Sequence, residues 1–169
     1  MLLKVEYMEK IDLLTFLEDE SEQLDFDGQV EVFWDKKHKL FEIELTFYAE
    51  NKSGQVIEDV AGVSSEEPII SFSDSILLYS KETPVEFEAT DYLVCLPYAG
   101  KKGWTLAEGK AFFSYLQVVL DNGSSDLLDF LNDSMTDVFE LTWSNVEFEK
   151  FILDAKKHTP NGQLPYPKF

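Results

Sequence analysis

In the stretch QVEVFWDKKHKLFEIELTFYAEN, residues 29–51, side-chain character alternates on both sides of a short basic turn. Val30, Val32 and Trp34 alternate with Glu31, Phe33 and Asp35; after KKHK, Phe41, Ile43, Leu45 and Phe47 alternate with Glu42, Glu44, Thr46 and Tyr48. A period of two is the strand period, so the segment predicts an antiparallel hairpin. Folding it about Lys37-His38 sets Trp34 opposite Phe41, Val32 opposite Ile43 and Val30 opposite Leu45. All six then share one face, so the register that pairs the strands also buries their apolar side. The other face carries Glu31 opposite Glu44 and Phe33 opposite Glu42, an acidic surface with an aromatic among the charges.

The remaining pattern supplies helices and further strands. Ile11, Leu14, Phe16 and Leu17 form an apolar stripe that predicts a helix from about Met8 to Gln23, ending in the acids Glu18, Asp19, Glu20 and Glu22. A third strand is expected around Gln55–Val60, then a loop at GVSSEEP. Strands follow at Ile69–Phe72 or Ser75–Tyr79, and at Tyr92–Leu96, where Pro97 should stop the ladder. Thr105 and Glu108 have capping-box spacing, and Gly109, Phe112, Phe113, Leu116 and Leu120 share one face of the helix they open. Asp121-Asn122-Gly123 is a stop signal, with a short second helix expected in SDLLDFLND. A late strand is expected at 138–143. Ser144 and Glu147 form a second capping pair, opening a helix with Phe148, Phe151, Ile152 and Ala155 on one side and Lys156, Lys157 and His158 at its end. The order implies one domain of the α+β class: a two-layer sandwich, its mainly antiparallel sheet wet on one face and covered by helices on the other.

Composition narrows the function classes. The 169 residues carry 33 acidic and 14 basic side chains, a net charge of −19. All 14 basic residues are lysines, so the rigid guanidinium fork used to grip phosphates is missing. Direct nucleic-acid binding and adsorption to an anionic membrane are therefore disfavoured, and a basic partner, or none, fits better. No run approaches the ~18 apolar residues of a membrane helix. The N-terminus MLLKVEYMEK lacks the features of a secretory signal, so the expected compartment is the cytoplasm. Cys95 stands alone in the strand-like DYLVCLPY, which reads as a structural thiol and leaves no internal disulfide.

Chemistry is hard to find in the motifs. DFDG (25–28) and DNGSSD (121–126) are fragments of calcium loops without the full ligand spacing. YAGKKGW lacks P-loop spacing, and neither a nucleophile elbow nor a zinc-protease motif is present. No cofactor, metal or catalytic residue is assigned. KKHK is a charged turn that could also take an anion. The expected exposed aromatics are Phe33, Tyr48, Tyr98 and Trp104; together with Glu31, Glu42 and Glu44, three of them (Phe33, Tyr48 and Trp104) define a candidate interaction surface if they cluster.

Four stretches, FWDKKHKLFEIELTFYAEN, DYLVCLPYAGKKG, DLLDFLND and the closing PYPKF, occur in that order. Together they resemble an uncharacterised bacterial family, domain of unknown function 3013, of streptococci, enterococci and their relatives. The resemblance spans nearly the whole chain. It implies a cytosolic, single-domain α+β protein from a low-GC Gram-positive bacterium, and carries no activity, cofactor or catalytic residue.

The leading expectation is a non-enzymatic binding or protein-interaction domain, as monomer or homodimer. The alternative is an enzyme with a carboxylate-lined pocket, which requires a deep cleft holding a carboxylate whose pKa burial has raised. A third reading is an acidic DNA mimic, which requires carboxylates spaced like duplex phosphates. The closing LPYPKF lacks P-x-x-P spacing and is expected to lie back on the fold as a strap, placing Leu164, Tyr166 and Phe169 along the sheet or a helix seam.

Overall fold

The structure, a computed structural model, describes residues 11–50, 57–59, 64–65, 69–132 and 138–168. Helix α1 (Leu13–Gln23) starts where the Asp12 carboxylate accepts the Thr15 N–H at 2.8 Å. Met8–Lys10, in the expected first turn, lie outside the described residues. The hairpin β1 (Gln29–Asp35) and β2 (Leu40–Glu50) has the register read from the sequence, Trp34 with Phe41, Val32 with Ile43 and Val30 with Leu45. Asp35 closes its turn: it accepts the His38 N–H at 3.1 Å and lies 2.8 Å from His38 Nδ1.

Strands β3 (Ile57–Asp59) and β4 (Ser64–Ser65) pair with each other, and the latter pair of serines lies in the stretch expected as loop. The rest of the Gln55–Val60 strand lies outside the described residues. Next comes β5 (Ile69–Ser80), one twelve-residue strand where two shorter alternatives were expected. It pairs along β2 from Glu50–Ile69 to Leu40–Tyr79, so the long partner holds both halves in line. Strand β6 (Val94–Tyr98) runs parallel to β5 and includes Pro97 opposite Tyr79, correcting the expectation that Pro97 stops the ladder. In the order β1-β2-β5-β6 this strand is an edge, where a missing N–H is tolerated.

After β7 (Trp104–Thr105) comes α2 (Leu106–Asn132), opened by the reciprocal capping box: Thr105 N–H to Glu108 Oε1 at 3.0 Å and Glu108 N–H to Thr105 Oγ1 at 3.1 Å. It runs unbroken through Asp121-Asn122-Gly123, correcting the expected stop and second helix. Gly123 is buried against the sheet; a Cβ there would lie 2.5 Å from Leu141 Cδ2 and 2.9 Å from Phe47 Cζ. The glycine costs about 1 kcal/mol of helix propensity, while Leu127 and Phe130 one and two turns on each recover about 2 kcal/mol or more on burial. The stop signal is outvoted by packing.

Strand β8 (Val138–Phe139) is two residues of the expected six and pairs parallel to β3. Helix α3 (Asn145–His158) begins at Ser144, whose Oγ accepts the Glu147 N–H at 3.2 Å. It rests on α2 through Phe148 and Phe151 around Tyr115, whose hydroxyl accepts the Ser144 N–H at 2.9 Å. Strand β9 (Gln163–Leu164) pairs with β7. The outcome is a mixed α+β fold: a mostly antiparallel sheet whose inner face, including Phe41, Ile43, Leu45 and Ile76, packs against α1 and α2.

The outer face is not wet throughout. The connector from β5 to β6 sets Phe87 5.3 Å from Tyr79, and the Tyr92 hydroxyl feels the charge of Glu42. Leu77, between Glu42 and Cys95 on that face, is only 1% exposed. Parallel neighbours require a crossover, and here it shelters one end of the outer surface. Cys95 is partly buried, and loss of water raises its thiol pKa.

Candidate functional site

Apart from Trp104 the expected surface residues share the outer face of the hairpin, but their aromatics do not cluster. Phe33 and Tyr48 are exposed, at 48% and 51%, but six residues of β2 separate Tyr48 from Glu42, the partner of Phe33. At ~3.4 Å per residue that is roughly 20 Å. Glu31 pairs with Glu44 beside Phe33 and Glu42, and a side-chain chain runs from the Tyr48 hydroxyl through Gln29 to Glu31. Glu42 also accepts the Ser75 hydroxyl at 3.0 Å.

Trp104 is a correction: it is 2% exposed, donates from Nε1 to the Pro97 carbonyl at 3.0 Å and packs 5.3 Å from Phe112. Its strand β7 is held between the chain's end and α2, which takes the indole out of solvent. Tyr98 is likewise buried, on the inner face of edge strand β6, with its hydroxyl bonded to the Lys39 carbonyl.

The concave site lies on the other side of the sheet. A cleft of about 960 Å³ opens where β5, the β5–β6 connector, the last turns of α2 and the segment after β8 meet. Aromatic rings form much of its wall: Phe72 and Phe139 meet at 5.1 Å, Phe130 stands 6.0 Å from Phe72, and Trp143 and Tyr92 line it as well. Among the described residues five carboxylates line it, Asp74, Asp91, Asp126, Asp129 and Glu140, with no lysine or histidine beside them. Among the described residues, no group of three His, Cys, Asp or Glu side chains is gathered closely enough to hold a metal ion.

Asp74 is the unusual member. Its partner in β2 is Leu45, an inward residue, so Asp74 occupies a core-facing position between Phe72 and Ile76. Burial raises its pKa above the ordinary 3.8; the Ser75 N–H, bonded to Oδ1 at 2.9 Å, opposes that, and the charge of Glu140 raises it further. Sequence reasoning missed Asp74 because it split β5 in two. Read as one period-two run, Ile70, Phe72, Asp74, Ile76 and Leu78 place a single acid in an apolar row, and that was the available signal.

These features define a small acidic α+β protein with one helix-backed sheet and an aromatic-walled, carboxylate-rimmed cleft. The chain belongs to the family described as protein of unknown function (DUF3013), whose model matches residues 8–168. It is also similar to a crystal structure of a conserved protein of unknown function from Enterococcus faecalis. The two are 38% identical over 94% of this chain and 97% of that one, with a TM-score of 0.84. No curated protein matches the chain. Among the described residues no helix is long and apolar enough to cross a membrane.

Proposed function

We propose that this protein is a non-catalytic binding domain of the cytoplasm that takes a basic segment of a partner protein into its cleft. The observation that carries the reading is the lining itself, which among the described residues sets five carboxylates around aromatic rings with no cation among them. A lysine or arginine side chain brings an apolar stem and a positive head. The stem suits the faces of Phe72, Phe130 and Trp143, and the head suits the carboxylates and the aromatic quadrupoles. The volume lies within the range of sites that enclose a small ligand or a few side chains. The net charge of −19 would draw a basic partner from a distance, and salt would weaken that attraction.

The test is a titration of the protein with octalysine, followed by amide and indole NMR shifts. Saturable binding is expected, with shifts concentrated at Trp143, Asp126 and Glu140, weakened by salt and lost in the triple variant Asp126→Asn, Asp129→Asn, Glu140→Gln. Shifts spread evenly over the acidic surface would remove the cleft as the site.

Asp74 favours a second reading, an enzyme in which this carboxyl is the proton donor. It ranks below the first because the lining offers no imidazole, lysine or cysteine to act with it. Turnover of a substrate that is lost in Asp74→Asn, with the fold intact, would reverse the order.

A further inference from the structure

A carboxylate rim would bind cations from bulk water if all its members were alike, but Asp74 is set apart by its place in the sheet. It stands on the core-facing side of β5, while Asp126 and Asp129 come from exposed positions of α2, and Asp91 and Glu140 from the exposed chain on either side. Every charged group lining the cleft beside it is therefore negative. Tyr92, the remaining titratable group of the lining, is held neutral over a wider range because burial raises its pKa. Among the described residues, a charge on Asp74 is compensated by two backbone N–H groups, of Ser75 and Leu93.

A cation entering the cleft changes this balance more at Asp74 than at the solvated rim, because the surrounding rings keep water away and strengthen the interaction. Resting on the binding reading above, we infer that Asp74 makes the cleft a proton-linked site, in which an entering cationic side chain displaces a proton from the Asp74 carboxyl to solvent and reprotonation favours its release. The linkage involves one proton, so the affinity falls by at most about tenfold per pH unit as Asp74 becomes protonated.

The experiment is calorimetric titration of octalysine in two buffers of different ionisation enthalpy, repeated in steps of pH. The wild-type protein is expected to release a fraction of a proton per peptide bound, rising toward one as the pH is lowered into the titration of Asp74. In Asp74→Asn the release and the associated pH slope should vanish. Equal slopes in both proteins would overturn the proton linkage and leave the binding reading standing; no binding at any pH would overturn the binding reading itself. A ligand-free check is the carbon-13 titration of the Asp74 carboxyl, whose midpoint should fall in Glu140→Gln. A midpoint at the ordinary 3.8 in the unaltered protein would sink the inference without any ligand.

Discussion

Two residues show how much hangs on single positions. Gly103 has φ +64° and ψ −126°, a conformation that side chains avoid, and a Cβ there would lie 1.9 Å from the Leu164 carbonyl oxygen. Gly103→Ala is therefore expected to cost at least about 1–3 kcal/mol, because the clash is with backbone and cannot be relieved by a rotamer change. Urea melts of the two proteins check this. Asp74 works in the opposite sense. Its folded pKa is raised, so the ionised form is penalised, and its contribution to stability is full below 3.8 and lost as pH rises through the folded value. Asp74→Asn keeps an oxygen for the Ser75 N–H and removes the charge. It should raise Tm at pH 7, and the gain should shrink to nothing as the pH is lowered toward 3.8; a gain independent of pH would show that charge is not its cause.

Among the elements, the C-terminal strap ties together parts that are far apart in the chain. Leu164 is buried, the Pro165 carbonyl accepts the Leu13 N–H at 2.8 Å, and the Tyr166 N–H reaches the Lys101 carbonyl at 3.0 Å. The Tyr166 ring stacks on Tyr98 at 5.9 Å and its hydroxyl accepts the Trp34 indole N–H at 2.9 Å. The segment expected as a strap thus joins α1, β1, β6 and β7, with Leu164 and Tyr166 as its anchors; Phe169 lies outside the described residues. Truncation after Gln163 should lower Tm by roughly 5–10 °C, since burying Leu164 alone contributes about 2 kcal/mol and a chain of this length shifts a few degrees per kcal/mol. Tyr166→Phe isolates one link, removing the hydroxyl that accepts the Trp34 N–H at a cost of about 1 kcal/mol. Differential scanning calorimetry of both variants would separate the packing of the strap from the Trp34–Tyr166 hydrogen bond.

For the molecule as a whole, 33 acids against 14 lysines mean that folding brings like charges together. Among the described residues the ion pairs are short-range and exposed, such as Lys150 with Glu147 at 3.1 Å, and contribute little. Sodium chloride should therefore stabilise the protein by screening repulsion: Tm is expected to rise between 10 mM and roughly 300 mM salt, as the Debye length drops from ~30 Å to below 10 Å. A falling Tm would mean that attractive pairs dominate instead. The same salt should weaken octalysine in the cleft, so stability and binding are expected to move in opposite directions.

What the sequence alone determined was whatever depends on neighbours along the chain. Trp34 faces Phe41 because period two and a four-residue turn leave one register that buries both, and Thr105 caps with Glu108 because three residues span one helical turn. The α+β class followed from the order of such elements. The tertiary structure decided whatever depends on segments far apart: that α2 continues through Gly123 because Phe47 and Leu141 need the space, and that Trp104 is buried between the strap and Phe112. It also made the cleft, which draws Asp74, Asp91, Asp126 and Glu140 from four separate stretches. No local periodicity records such a meeting. Proximity across a fold is settled by how whole faces pack, and an acid is an ordinary surface residue until that packing encloses it.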